Sequence, residues 1–200
     1  MNYIFGYGSL ICADSRSRTG VTSEAYPIEV QGIARHWSLN SAHSSGTVVS
    51  AHLDSNAVCN GVYFSVDDIN LALFDEREAG YQRVIIDWKN VLPLSDHPLP
   101  KDGVLWAYVG MQNSQPSPEK PILQSYLDVI INGCLDIHPD FAQRFTELTG
   151  KWGYLYNDRD NPEYPRPLKS TERHPHIDQV LKSHLPTLWQ QRFSRKQPQK

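Results

Sequence analysis

Tyr3-Ile4-Phe5-Gly6-Tyr7-Gly8-Ser9-Leu10 is the stretch on which the reading of this chain turns. Residues 2–7 are aromatic and β-favouring and then meet glycine, the pattern of a short strand feeding a tight loop from Gly6 to Ser9. Small residues there let the backbone approach a ligand closely, and successive backbone N–H groups in such a turn form a concave site for an anion or a developing oxyanion. The same pattern also fits a plain β-turn with glycines at positive φ.

Outward from this stretch, strands dominate the first half. Residues 28–40 alternate apolar and polar, and 47–53 and 58–66 repeat the pattern with Val48, Val49, Val62, Tyr63 and Phe64. Residues 81–88 and 103–109 read as two more strands, and 11–26 as a polar excursion with one helical turn. Asp67 is placed as the N-cap of a short helix over 68–78, with Ile69, Leu71, Leu73 and Phe74 largely on one side and Gly80 past its end. The clearest helix is 122–137, from Ile122, Leu123, Tyr126, Leu127, Ile130 and Ile131. Pro139 and Gly150 bracket a second at 139–149, and 177–193 is amphipathic. The tail from Ser194 is basic and expected to fray. Strands first and helices late favour an α+β fold over a doubly wound one. The expected fold is a small, mixed but mostly antiparallel, barrel-like sheet around a cavity, with helix 122–137 packed outside. Residues 1–150 form the expected catalytic domain, and 151–200 a C-terminal strap and helix packing on it.

Bulk properties bound the function. The 200 residues are 40% hydrophobic and 20% charged, with a formal net charge of -3. That composition suits a globular domain and makes nucleic acid and anionic membrane poor partners. Three cysteines, Cys12, Cys59 and Cys134, lie far apart and form no metal or disulfide framework, so they read as small core residues. His174-Pro175-His176 reads as a solvated loop rather than a metal ligand pair. No metal or cofactor is expected, and the absence of a signal-like segment and of long apolar runs gives a soluble, cytoplasmic expectation.

Phe74-Asp75-Glu76-Arg77-Glu78-Ala79-Gly80-Tyr81 is the second chemistry-bearing stretch. It sets three carboxylates at a helix C-terminus, where the dipole disfavours negative charge. Crowding by acids and packing beside Tyr81 would raise a carboxyl pKa, which suits a general base. A solvated acidic turn with Arg77 as partner is the bland counterpart.

Together the two stretches resemble the γ-glutamyl cyclotransferase superfamily, whose members carry a Tyr-Gly-Ser-(Asn)-Leu turn after the first strand and one catalytic glutamate before a Gly-Tyr pair. Cys59-Asn60-Gly61-Val62-Tyr63-Phe64-Ser65-Val66 resembles the strand before the catalytic helix, and Tyr126 with the apolar run after it resembles the later helix. The resemblance covers roughly residues 3–150, the size of a domain. It implies intramolecular aminolysis of a small γ-glutamyl substrate: the free α-amine attacks its own γ-carbonyl, closes 5-oxoproline and expels an amine, amino acid or dipeptide. It assigns Glu78 as the base, with Glu76 as rival, and Tyr7, Gly8, Ser9 and Leu10 as the substrate cradle. Tyr81 and Tyr126 match aromatic positions lining the pocket. The turn lacks the extra Asn of some branches, Ser15-Arg16-Ser17-Arg18-Thr19 follows it, and the aromatic of the ChaC-type glutathione-degrading branch is missing. The leaving group and oligomeric state stay open. A non-catalytic module holding a γ-glutamyl metabolite is the alternative. A hydrolase using Ser9 as nucleophile lacks a G-x-S-x-G elbow. Residues 151–170, rich in aromatics, arginines and prolines, read as a strap on the barrel, with a lid or carboxylate-binding role as the other possibility.

Overall fold

A computed structural model describes residues 1–40 and 45–194. The expected fraying of the tail falls, beyond Ser194, outside the described residues. The strands are β1 (Asn2–Gly6), β2 (Tyr26–Asn40), β3 (Thr47–Val66), β4 (Tyr81–Ile86), β5 (Val91–Pro93), β6 (Val104–Gly110), β7 (Ile122–Leu123), β8 (Thr149–Gly150) and β9 (Leu155–Tyr156). The helices are α1 (Ala13–Ser17), α2 (Asp68–Arg77), α3 (Gln124–Ile137), α4 (Pro139–Glu147), α5 (His174–His184) and α6 (Pro186–Gln190). All nine strands belong to one sheet, with the main order β4-β6-β1-β3-β2-β5. The long ladders, β2 with β3, β1 with β3 and β4 with β6, are antiparallel; β1 and β6 run parallel. The α+β expectation with a mostly antiparallel sheet therefore holds.

The curl of the sheet comes from β3. Its C-terminal half pairs with β1, while Ala51 in its N-terminal half pairs with Val109 of β6. Because β6 also pairs with β1, the sheet folds back on itself, and the end of β1 opens into the space inside the curl. The stretches 47–53 and 58–66, read as separate strands, are one. Residues 54–57 bulge out opposite Gly32, where the register of β2 shifts and φ is +91°. Only a glycine adopts that angle without strain, and the extra residues bend the long hairpin.

Two helices sit differently from expectation. Helix α3 starts at Gln124 because Ile122 and Leu123 pair with β9 and β3, and α4 and α5 pack against it. Every residue from Gln124 to Ile131 is buried, with Leu127, Ile130 and Ile131 fully so. Each such side chain contributes on the order of 2 kcal/mol of burial. Helix α2 buries only Leu71 and Phe74, an i, i+3 pair facing the sheet. Ile69 and Leu73, expected on the same side, are exposed. Asp67 caps α2 as read from the sequence, its side chain accepting from Asn70 N at 2.7 Å. The three cysteines are free and buried. His174 and His176 lie in the first turn of α5, not in a loop, where Pro175 starts the helix. Among the described residues no group of three or more His, Cys, Asp or Glu could hold a metal ion, and no helix is long and apolar enough to cross a membrane.

Candidate functional site

After Gly6 the chain does not continue as a strand. It tightens into a 3₁₀ turn over Ser9–Ile11, closed by Ile11 N–H to Gly8 O at 2.9 Å and Cys12 N–H to Ser9 O at 3.2 Å. Gly6 permits the fold-back, since a Cβ there would sit 2.8 Å from Leu10 Cβ. Such a turn leaves its first N–H groups without intrahelical partners. Among the described residues the N–H groups of Gly8, Ser9 and Leu10 make no hydrogen bond to the protein. At Gly8 a Cβ would lie 2.7 Å from Val49 Cγ2 and 3.3 Å from the Tyr126 hydroxyl, so the bare backbone faces Tyr126 directly.

Helix α2 brings the second stretch to the same place. Glu78 is its C-cap, its N–H bonded to Phe74 O at 2.9 Å. Gly80 takes φ of +100° and lets the chain reverse, with Tyr81 N–H on Glu78 O at 3.0 Å. The reversal turns both Glu78 and Tyr81 toward the end of β1. They line an inner cavity of about 40 Å³ together with Tyr7, Gly8, Ser9, Leu10 and Tyr126. All seven residues singled out from the sequence thus border one space. Glu76, the rival carboxylate, is exposed and lines neither this cavity nor the wider one beyond it.

The Glu78 side chain is 18% exposed, and Arg77 Nε stands 3.2 Å from its Oε1. Burial raises the Glu78 pKa, and Arg77 and Arg166 pull against it. The acid crowding expected from the sequence is absent: the charged neighbours are guanidinium groups, because Asp75 turns away to Arg83 at 2.6 Å and Glu76 to solvent. The tyrosines are held as neutral donors. Tyr81 donates to Val49 O at 3.1 Å, and Tyr7 donates to Tyr108 O. Burial, reinforced by the Glu78 charge, raises the pKa of Tyr7, Tyr81 and Tyr126 alike.

Three arginines support the site from beneath: Arg35, which sequence reasoning passed over, and Arg16 and Arg77, which it named without giving them this role. Arg35, 0% exposed, donates to Tyr7 O at 3.1 Å, Asn60 O at 2.6 Å, Asn60 Oδ1 at 2.8 Å, Phe145 O at 3.0 Å and Thr149 Oγ1 at 2.7 Å. Its guanidinium lies 3.7 Å from the centre of the Phe145 ring. Arg16 donates to Leu10 O at 2.8 Å and Ile11 O at 2.7 Å. Arg77 reaches Ser9 Oγ at 3.1 Å, Ser15 O at 2.8 Å and Ser15 Oγ at 3.0 Å. The carbonyls of Tyr7, Leu10 and Ile11 are thereby bound by guanidinium groups, while the N–H groups of Gly8, Ser9 and Leu10, on residues that border the cavity, stay unpaired among the described residues. A signal for Arg35 existed: it shares a strand face with Ile33 and Trp37, both of which point inward.

Residues 151–170 form the strap, and they also reach the site. Asp158 accepts from Ser125 N at 2.8 Å, capping α3 from a distance, and Arg159 binds Asp128 through two contacts at 2.7 and 2.8 Å. Beyond these anchors Tyr164, Pro165 and Arg166 border a wider space of about 270 Å³, which shares Ser9, Glu78, Tyr81 and Tyr126 with the inner cavity.

The chain is similar to several solved structures. One described as a gamma-glutamyl cyclotransferase superposes with a TM-score of 0.59 at 14% identity over 88% of this chain and 98% of that one. An uncharacterized protein from Homo sapiens follows at 0.56 and 15% identity, over 88% and 96%. YkqA from Bacillus subtilis gives 0.52 and 19% identity, over 72% of this chain and 52% of that one. No family model and no curated protein sequence matches. At 14–19% identity the likeness shows a shared fold, the one seen in the structure described as a gamma-glutamyl cyclotransferase.

Proposed function

We propose that this protein is a γ-glutamyl cyclotransferase: it cyclises the γ-glutamyl group of a small amide or peptide to 5-oxoproline and releases the amine. One observation carries the reading. A half-buried carboxylate and a row of unpaired backbone N–H groups border one small cavity, and Arg77 touches both sides of it, at Glu78 and at Ser9.

The chemistry needs those two elements. The substrate's α-amine is mostly protonated near neutral pH, with a pKa of about 7.7–8 in peptides. Glu78, ionised, accepts that proton, and its raised pKa brings the two groups closer in proton affinity. The freed nitrogen attacks the γ-carbonyl carbon, and a five-membered ring closes. The electron pair of the carbonyl moves onto oxygen, where the N–H groups of Gly8, Ser9 and Leu10 receive it; one such donor contributes about 3–4 kcal/mol in other enzymes. Collapse of the adduct breaks the amide C–N bond: the departing nitrogen takes the first proton back from Glu78, and the second proton, shed by the ring nitrogen as the lactam forms, passes through the freed Glu78 carboxylate to the amine, which leaves as an ammonium. The tyrosines keep their protons throughout and act as walls and donors.

Incubating the protein with a panel of γ-glutamyl amino acids, amines and peptides, with 5-oxoproline measured by mass spectrometry, tests this. Stoichiometric 5-oxoproline and free amine are expected from at least one compound. Glutamate as the product instead would mean hydrolysis, and saturable binding without any product would mean a holding module.

A further inference from the structure

Within the cyclising activity proposed above, on which this inference rests, the outer half of the cavity has a charge balance that nothing in the protein completes. Glu78 is the one carboxylate bordering either part of the cavity among the described residues, and it is already matched by Arg77. Arg166 borders the outer part and has no hydrogen bond or ion pair to the protein among the described residues; its guanidinium carbon lies 5.6 Å from the centroid of the Tyr164 ring, and its charge is felt at Glu78 without a direct contact. Arg16, Arg35, Arg77 and Arg159 each have at least two protein acceptors. Beside Arg166 the Tyr164 hydroxyl is buried and without a partner, on a residue 5% exposed. A buried hydroxyl left unpaired is destabilising, so a group that fills both vacant roles has an advantage here.

These two residues are also held in place. Tyr164 N–H reaches Ser125 Oγ at 3.3 Å, next to the Asp158 cap on α3, and Arg159 locks the same strap to Asp128 and Asp178. Pro165 and Pro167 fix φ on either side of Arg166. The fork is therefore presented from a stiff backbone, which suits recognition of a planar anion.

We propose that Arg166 and Tyr164 form a subsite for a carboxylate on the leaving group. The inner cavity takes the γ-carbonyl, and the part of the substrate beyond the scissile amide extends past Glu78 to the strap. Favoured substrates are then γ-glutamyl amino acids or peptides, whose leaving part is anionic, over γ-glutamyl alkylamines.

γ-Glutamylalanine and γ-glutamylethylamine test this directly, because they differ only in that carboxylate. The readout is the ratio of kcat/KM for the two compounds. Any effect of Arg166 on the proton affinity of Glu78 reaches both substrates equally and leaves the ratio alone. The native protein should prefer γ-glutamylalanine by about tenfold or more, expressed in KM, the scale of one charge-assisted hydrogen bond. Arg166→Gln should collapse the ratio toward one, Arg166→Lys should keep part of it, and Tyr164→Phe should lower it with the guanidinium intact. Equal losses on both substrates in Arg166→Gln, which leave the ratio unchanged, would overturn the assignment: Arg166 would then act on a part that both substrates share or through Glu78 alone. A native protein that turns over both compounds without preference, or favours the ethylamine, overturns the subsite while leaving the cyclising activity standing. Turnover of neither this pair nor any other γ-glutamyl compound removes the activity itself, and the subsite with it.

Discussion

Arg77 Nε stands 3.2 Å from Glu78 Oε1 while the same guanidinium donates to Ser9 Oγ at 3.1 Å, so one cation ties the carboxylate to the turn. The pair has a readable consequence in pH. Burial raises the pKa of Glu78, and Arg77 opposes that by favouring the charged form. Without the Arg77 charge the pKa rises further, and a smaller fraction of the enzyme carries an ionised base at mildly acid pH. Arg77→Gln should therefore move the acid limb of the kcat/KM profile to higher pH, whereas Arg77→Lys, which keeps a charge, should move it less. Because Arg77 also holds Ser15, absolute rates fall in both variants; the position of the limb is the diagnostic quantity. An unmoved limb in Arg77→Gln means that Glu78 is not the group that titrates.

Stability should show the same group from the other side. A carboxyl whose folded pKa lies above its unfolded value binds its proton more tightly when folded. Its stabilising contribution is present below the unfolded pKa and lost as pH rises through the folded one. Glu78→Gln, neutral at every pH, should melt at a higher temperature than the native protein at pH 7 to 8. The difference should fade below the ordinary carboxylate range, near about pH 4. Melting curves across pH measure it, and a Glu78→Gln protein that is less stable at neutral pH contradicts the assignment of burial as the dominant cause.

Much of this arrangement was legible in the sequence because it is local. Asp67, Gly80 and the Gly6–Gly8 turn act through residues within a few positions, and the Glu78-to-Tyr81 reversal needs only those. What escaped the sequence is non-local. A carboxylate-binding role for residues 151–170 was open in the sequence, but not which residues reach the cavity: Tyr164 and Arg166 do so because Asp158 caps a helix more than thirty residues away and Arg159 finds Asp128, pairings that leave no periodicity behind. The two-residue strands β7, β8 and β9 are too short for any alternation to register. Helix α3 was found, but its start was read two residues early, because Ile122 and Leu123 pair as a strand. Its polar residues Gln124, Ser125 and Asp128 are buried because Gln124 bonds Asp128 and the distant Asp158 and Arg159 pair with Ser125 and Asp128.

Arg35 should matter more to folding than its lack of a carboxylate partner suggests. Truncation leaves the carbonyls of Tyr7, Asn60 and Phe145 without their donor in a fully buried setting. Arg35→Met should destabilise the protein by about 3–5 kcal/mol, the scale for breaking a buried charged network. Lysine cannot span five acceptors, so Arg35→Lys should rescue little. Denaturant unfolding measures both, and a loss below about 1 kcal/mol for Arg35→Met would show that the network contributes little, on the scale of an ordinary hydrogen bond.

Gly8 tests the cradle by bulk alone. A methyl group there meets Val49 Cγ2 at 2.7 Å. Gly8→Ala should cost about 1–3 kcal/mol of stability as an overpacked site and should reduce turnover as the turn shifts. Gly8→Ala combined with Val49→Ala should recover most of the stability. Activity that does not return with it means the methyl group also obstructs the substrate's approach to the turn.

The central claim is that Glu78 is the proton acceptor, and steady-state 5-oxoproline formation by Glu78→Gln beside Glu76→Gln tests it most directly. Glutamine keeps the size and hydrogen-bonding reach of Glu78 and removes only its basicity, and the turn N–H groups are untouched. Turnover by Glu78→Gln should fall by about a hundredfold or more, the scale of a general base, with substrate binding retained by calorimetry. Glu76→Gln, altered at an exposed carboxylate away from the cavity, should stay near the native rate. Near-native turnover by Glu78→Gln would contradict the account.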